Sequence, residues 1–228
     1  MILQGFIEDI ELQSRLNLAN NLAPNVVYFK FDKKEIGHMA TLGFDQVQIG
    51  IMDEQENVTN VYTIDAKAGG AIEAKLSGLG ATMNTVYASN VPFFVSAQGV
   101  SSPKLDLDVA DIPEEALNEI TGAVVENGIA KIGANTIPPY VAVILKAKGA
   151  AGDDIFIGLT KGKFAYPDLD IKTGDDKGVE LSTDTISGEF IARSDSFVYA
   201  KGRTSQTGFT EEEFKSFIFK GYTAPAGE

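Results

Sequence analysis

A mainly β fold, a β-sandwich or open barrel with one flanking α-helix and a short C-terminal helix, is what three features of the sequence predict. Short segments with a two-residue apolar period recur from Phe44 to Arg203, the period of strands with one buried face. Two stretches carry helical spacing together with start and stop signals. After Met39 no internal repeat and no shift in composition marks a linker, so the 228 residues read as one large domain with a sizeable core.

The segment from Ile137 to Arg193 gives the strongest strand signals. Tyr140 to Lys148 places Val141, Val143, Leu145 and Ala147 on one face, and Gly149, Gly152 and Asp153 make a turn. Ile155 to Phe164 returns as the second arm of a hairpin, with Ile155, Ile157 and Leu159 on one side and Phe156, Thr160 and Phe164 on the other. Asp184 to Arg193 sets Ile186, Gly188, Phe190 and Ala192 against Thr185, Ser187, Glu189, Ile191 and Arg193. Phe197 to Arg203 is expected to pair with it across Ser194-Asp195-Ser196.

Upstream, Asp45 to Met52 directs Val47, Ile49 and Ile51 inward, and Asn57 to Ile64 follows an acidic turn. Ala71 to Leu76 alternates Ile72, Ala74 and Leu76 with Glu73 and Lys75. Thr82 to Tyr87 and Pro92 to Ala97 are weaker strands. Lys104 to Val109 is the cleanest, with Leu105, Leu107 and Val109 inward and Lys104, Asp106 and Asp108 outward.

The first helix is signalled by Asp111 as N-cap with Glu114 three residues on, the stripe Ile112, Ala116, Leu117, Ile120, and Gly122 as its stop. The second starts at the capping box Thr210-Glu211-Glu212-Glu213, with Phe209 stapling onto Phe214, Phe217 and Ile218 continuing the stripe and Gly221 closing it.

Residues 1–38 do not match the remainder of the chain. Ile2, Leu3, Phe6, Ile7 and Ile10 have helix-like spacing, and Val26 to Phe31 is an apolar run. Two readings stand: an arm that packs on a neighbour or on the body, or a segment upstream of a true start at Met39, because Lys33-Lys34-Glu35 is what a purine-rich ribosome-binding site encodes in frame. The β domain is then 39–222, and 223–228 is a loose tail.

Composition narrows the function. With 19 basic against 32 acidic residues the formal charge is −13, which excludes a surface that grips phosphate backbones. No cysteine is present, so there is neither a disulfide framework nor a thiolate site, and a single histidine argues against a Ser/His/Asp triad or a multi-histidine metal site. No apolar run reaches the roughly 20 residues that span a bilayer, and the acidic N-terminus lacks the pattern of a secretory signal.

The motif candidates each reduce to an ordinary reading. Asp168 to Asp176 has calcium-like spacing, but Lys172 stands where an oxygen ligand is needed and no bidentate Glu closes the loop. Asp106, Asp108 and Asp111 could hold a cation or act as paired carboxylates; an exposed strand face explains the first two more simply. Gly128 to Gly133 lacks the third glycine of a dinucleotide fingerprint. Lys161-Gly162-Lys163 reads as an outward face or half of a subunit salt bridge, and the 14 phenylalanines lack the interleaved basic residues of a nucleic-acid stacking platform. No catalytic, cofactor-binding or metal-binding residue is assigned.

Pro139-Tyr140-Val141-Ala142, then Lys161-Gly162-Lys163-Phe164 with Pro167, then Thr185 to Arg193 together resemble the second half of the major tail proteins of phages with long non-contractile tails, especially those of Gram-positive hosts. Gly43-Phe44-Asp45, Tyr87-Ala88-Ser89-Asn90 and Ile112-Pro113-Glu114-Glu115 fall in that family's order, and the likeness runs from about Met39 to Tyr222. The resemblance implies a structural virion protein without catalysis or cofactor, made in the host cytoplasm. It implies hexameric rings stacked into a tube for genome ejection, with tail tip, terminator and tape measure proteins as neighbours. It further implies that double-stranded DNA passes an acidic bore without specific binding. Asp106 and Asp108 are the lumen-facing candidates. The long polar loop Tyr166 to Leu181, with Lys172, Asp175 and Asp176, is expected to order against the next ring. The competing readings are a monomeric β-sandwich that recognises carbohydrate or a host surface protein and, more distantly, an acid hydrolase using Asp106 and Asp111.

Overall fold

The computed structural model describes residues 41–88, 91–168 and 183–222, with backbone alone over 82–98. All belong to one of two units into which the chain divides, His38–Glu228. The expectations for residues 1–38, for Ser89-Asn90, for Lys172, Asp175 and Asp176 and for the C-terminal tail lie outside the described residues.

Among the described residues twelve strands and two helices succeed one another: β1 Thr41–Met52, β2 Val58–Asp65, β3 Ala71–Ser77, β4 Thr82–Ala88, β5 Val91–Gln98, β6 Lys104–Val109, α1 Glu114–Thr121, β7 Val124–Glu126, β8 Ile129–Lys131, β9 Val141–Gly149, β10 Asp154–Phe164, β11 Asp184–Phe190, β12 Tyr199–Arg203 and α2 Glu211–Ile218. The main sheet runs β2-β1-β9-β10-β11-β6-β3, all antiparallel, and β12 pairs with β10. β4–β5 and β7–β8 are separate hairpins. The fold is therefore mainly β, as the alternation predicts, an antiparallel sheet with two short helices that does not close into a barrel.

β9 is central because both of its faces are apolar. Val141, Val143 and Leu145 point into one core, with Val47, Ile49, Leu105, Leu107, Val109, Leu159 and Ile186. Ala142 and Ile144 point into a second core, with Phe156, Phe214 and Ile218. The sheet curls around the first core, which α1 plugs with Ala116 and Ile120. α2 covers the second from outside, its end seated on Gly158, where a Cβ would come within 2.4 Å of the Ile218 Cδ1.

The caps follow the sequence unevenly. Thr210 Oγ1 accepts the Glu213 amide at 3.3 Å, and the Phe209 and Phe214 rings lie 5.9 Å apart, as the capping box and staple require. Helix α2 ends at Phe219, before Gly221. α1 ends at Gly122 in the left-handed region, but its N-cap is Pro113, which offers no side-chain acceptor, and Asp184 Oδ2 instead takes the Ile112 amide at 3.1 Å. Asp111 is thus not the cap: Pro113, with ψ 125°, is still extended and the first helical residue is Glu114.

Other departures share one cause, an extra residue that reverses the alternation. Between Ala71 and Glu73, β3 advances two residues while β6 advances one, so Ile72 is turned outward and half exposed. Between Leu159 and Gly162, β10 advances three residues against two on β9. That puts Phe164 in the first core beside Phe190, 6.0 Å between centroids, not on the Phe156 side.

β12 does not pair with β11. One edge of β10 carries β9; the other is divided between β12, along Ile155–Leu159, and β11, along Gly162–Phe164. Arg193 is buried where the alternation puts it outside. β11 has already ended at Phe190, and the guanidinium turns in to Asp195 Oδ2 at 2.6 Å and to the last α2 carbonyl, Ile218 O, at 3.2 Å.

Candidate functional site

The outward face of β3, β6 and β11 is the surface to which the alternation of Lys104 to Val109 points. Leu105, Leu107 and Val109 are fully buried, which obliges Lys104, Asp106 and Asp108 to face away from the core. Strand register then sets the rows. Glu73, Asp108 and Thr185 lie side by side, then Lys75, Asp106 and Ser187, then Ser77, Lys104 and Glu189.

Within those rows the polar groups satisfy one another. The Ser187 hydroxyl donates to Asp106 Oδ1 at 2.7 Å, and the Thr185 hydroxyl donates to Asp108 Oδ1. Lys104 Nζ stands 2.6 Å from Glu189 Oε1, and the hydrogen bond it donates to that carboxylate raises the lysine's pKa. Glu73, Asp106, Asp108 and Glu189 share these rows with only Lys75 and Lys104, so the patch is acidic.

Nothing on this face has the makings of a reaction centre. Among the described residues no group of three or more His, Cys, Asp or Glu is placed to hold a metal ion. Asp106 and Asp111 are not among the residues lining the grooves beside Phe219, beside Asp65 and beside Glu119. No described helix is long and apolar enough to cross a membrane.

The lysines of the β10 strand do not form a phosphate site. Lys161 Nζ is 2.6 Å from Glu56 Oε1 in the β1–β2 turn, and Lys161 and Lys163 sit over the Tyr140 ring at 4.4 and 4.5 Å from its centroid. Two ammonium groups against one aromatic ring, one already paired with a carboxylate, make a tie between strands. Tyr62, on β2, donates to Glu119 of α1; desolvation and that carboxylate push its pKa up to about 12. The phenol is therefore a fastener and not an acid.

One surface has no counterpart among the sequence-based candidates. β7 and β8 form a hairpin that stands off the body, with Val124, Val125, Ile129 and Ile132 each about half exposed. Its signal is the Asn127-Gly128 pair with positive φ at both residues, the two-residue hairpin turn.

A family model described as phage tail tube protein matches residues 39–227. The chain belongs to the phage tail tube protein family. That family is structural and not enzymatic, and its members are virion components that assemble with one another in the tail and meet other tail parts. No match is found among the curated proteins. Among solved structures, the chain is similar to the tube-terminating cap of the anti-feeding prophage, at 11% identity and a TM-score of 0.38, covering 79% of this chain and 97% of that one. A likeness of that degree is too loose to carry a comparison of sites.

Proposed function

We propose that six copies of the 39–222 domain close into a ring and that the rings stack into the tube of a long, non-contractile phage tail of a Gram-positive host, through which the genome is ejected. The observation that carries this reading is the acidic face of β3, β6 and β11 on a sheet with both ends open. Neither β2 nor β3 has a second strand partner among the described residues. Unpaired edges of this kind are satisfied when copies meet side by side.

In this reading Asp106 and Asp108 line the bore. Fixed carboxylates repel the phosphates of passing double-stranded DNA and leave nothing for it to stick to. The segment holding Lys172, Asp175 and Asp176 orders between rings, and residues 1–38 are either an added arm or sequence upstream of a true start at Met39. Tail tip, terminator and tape measure proteins are the other neighbours. Subunit contacts of roughly 2,000 Å² or more are expected for rings without covalent links.

The test is negative-stain microscopy together with sedimentation of the concentrated protein. Rings or tubes that grow with concentration support the reading. A monomer that persists at high concentration and binds a glycan or host surface protein overturns it in favour of a display module. Proteolysis around Lys172 should be slower in tubes than in monomers, and equal cleavage in both rejects the inter-ring role.

A further inference from the structure

We infer that the β7–β8 hairpin is a subunit-contact arm whose occupant is a second copy of this chain. The inference deepens the tube reading and rests on it.

The arm leaves and rejoins the body at one point. Gly122, at φ 72°, caps α1, and a Cβ there would lie 2.8 Å from the Ile137 carbonyl oxygen, so the two ends of the arm are packed backbone to backbone. Between them, residues 124–135 are all exposed. Register places Val124, Glu126, Ile129 and Lys131 on one face and Val125 and Ala130 on the other. Both faces therefore carry large aliphatic side chains in water. Face-to-face burial within the arm is impossible for a two-stranded sheet, which is marginal without a covering layer.

Charge identifies what covers it. From Gly122 to Pro139 the only ionisable side chains are Glu126 and Lys131, and they neutralise each other across 2.5 Å. The chain as a whole carries −13, so two copies repel across most of their surfaces. The arm is a place where they can approach without that penalty and gain apolar burial. Val125 and Gly128 also overlook an open groove of about 650 Å³ beside Glu115 and Glu119, so that face is reachable as well. A neutral, apolar, two-faced projection on an acidic protein of a self-assembling family fits the body of a like subunit.

The chain has no cysteine, so Ile129→Cys supplies one reactive thiol at an exposed position. Maleimide labelling of full-length protein is expected to be fast in dilute monomer and at least about tenfold slower in assembled tubes, as for a side chain withdrawn from water. In parallel, Val124→Ser with Val125→Ser and Ile129→Ser should raise the concentration needed for assembly at least about tenfold and leave monomer melting unchanged. If wild-type tubes form but labelling and assembly are unaffected, the arm is not the contact and the tube reading survives. If wild-type protein never assembles, both fall.

Discussion

Glu56 and Lys161, 105 positions apart in sequence, meet at 2.6 Å between the β1–β2 turn and the middle of β10. The second carboxylate oxygen of Glu56 accepts the Ser194 amide at 3.1 Å. One side chain thus holds three segments, and it does so from a residue in the left-handed region, φ 63°.

Hydrogen bonds from Lys161, then from Ser194, hold the Glu56 carboxyl down at about 2, against 4.5 for a free one. A depressed carboxylate pKa stabilises the fold at pH above the unfolded value. That contribution is lost as pH falls from about 4.5 toward 2. Glu56→Gln is expected to lower stability by about 1–2 kcal/mol at pH 7, with the gap to wild type closing by about pH 2. Thermal melts of both proteins across that range check it; a gap that does not depend on pH rules out the linkage.

Leu107 and Asp106 are neighbours with opposite duties. Leu107→Ala removes a fully buried side chain and should cost about 2–5 kcal/mol. Asp106→Ser, on the outward face, should change stability by less than about 0.5 kcal/mol. Urea denaturation of the monomeric protein reads both, and comparable losses would mean that the strand is turned the other way.

Gly158 is the seat of α2. Gly158→Val would drive its side chain into Ile218 and Phe214, and such overpacking costs about 1–3 kcal/mol. Proteolysis at the C-terminal helix should accelerate well before global unfolding. If the helix stays protected, the second core tolerates the displacement.

Asp106→Lys combined with Asp108→Lys tests the bore. Tubes of this variant are expected to retain double-stranded DNA in a salt-sensitive manner, because added lysines on a lining surface release counterions when they meet phosphate. Wild-type tubes should not retain it. Equal retention by both would place these residues away from the path of the genome.

The sequence carries the strands whose alternation is unbroken and the helix ends that have side-chain partners. Lys104 to Val109 alternates without interruption in the structure, and Thr210 caps as its motif requires. Ile72 and Phe164 face the wrong way in a purely alternating reading because an inserted residue leaves no mark on composition. The buried Arg193 and the pairing of β12 with β10 depend on which strand is already at the edge, information that is not local. On the polar face, the outward direction of Asp106 and Asp108 was legible. Their hydroxyl partners Ser187 and Thr185 were not, since they require β11 to lie against β6. The arm was signalled by Asn127-Gly128, but three-residue strands are too short for a period to be read.

The strand order β2-β1-β9-β10-β11-β6-β3 sets a schedule for synthesis. Both flanks are built from the first part of the chain, β1 with β2 and β3 with β6, and the middle is supplied by β9, β10 and β11, which leave the ribosome after them. The flanks wait as disconnected pieces until β11 bridges β10 to β6, so a chain truncated before Asp184 would leave the inner edge of β6 uncovered. Such nascent products should be the ones that depend on chaperones and clump when translation stalls.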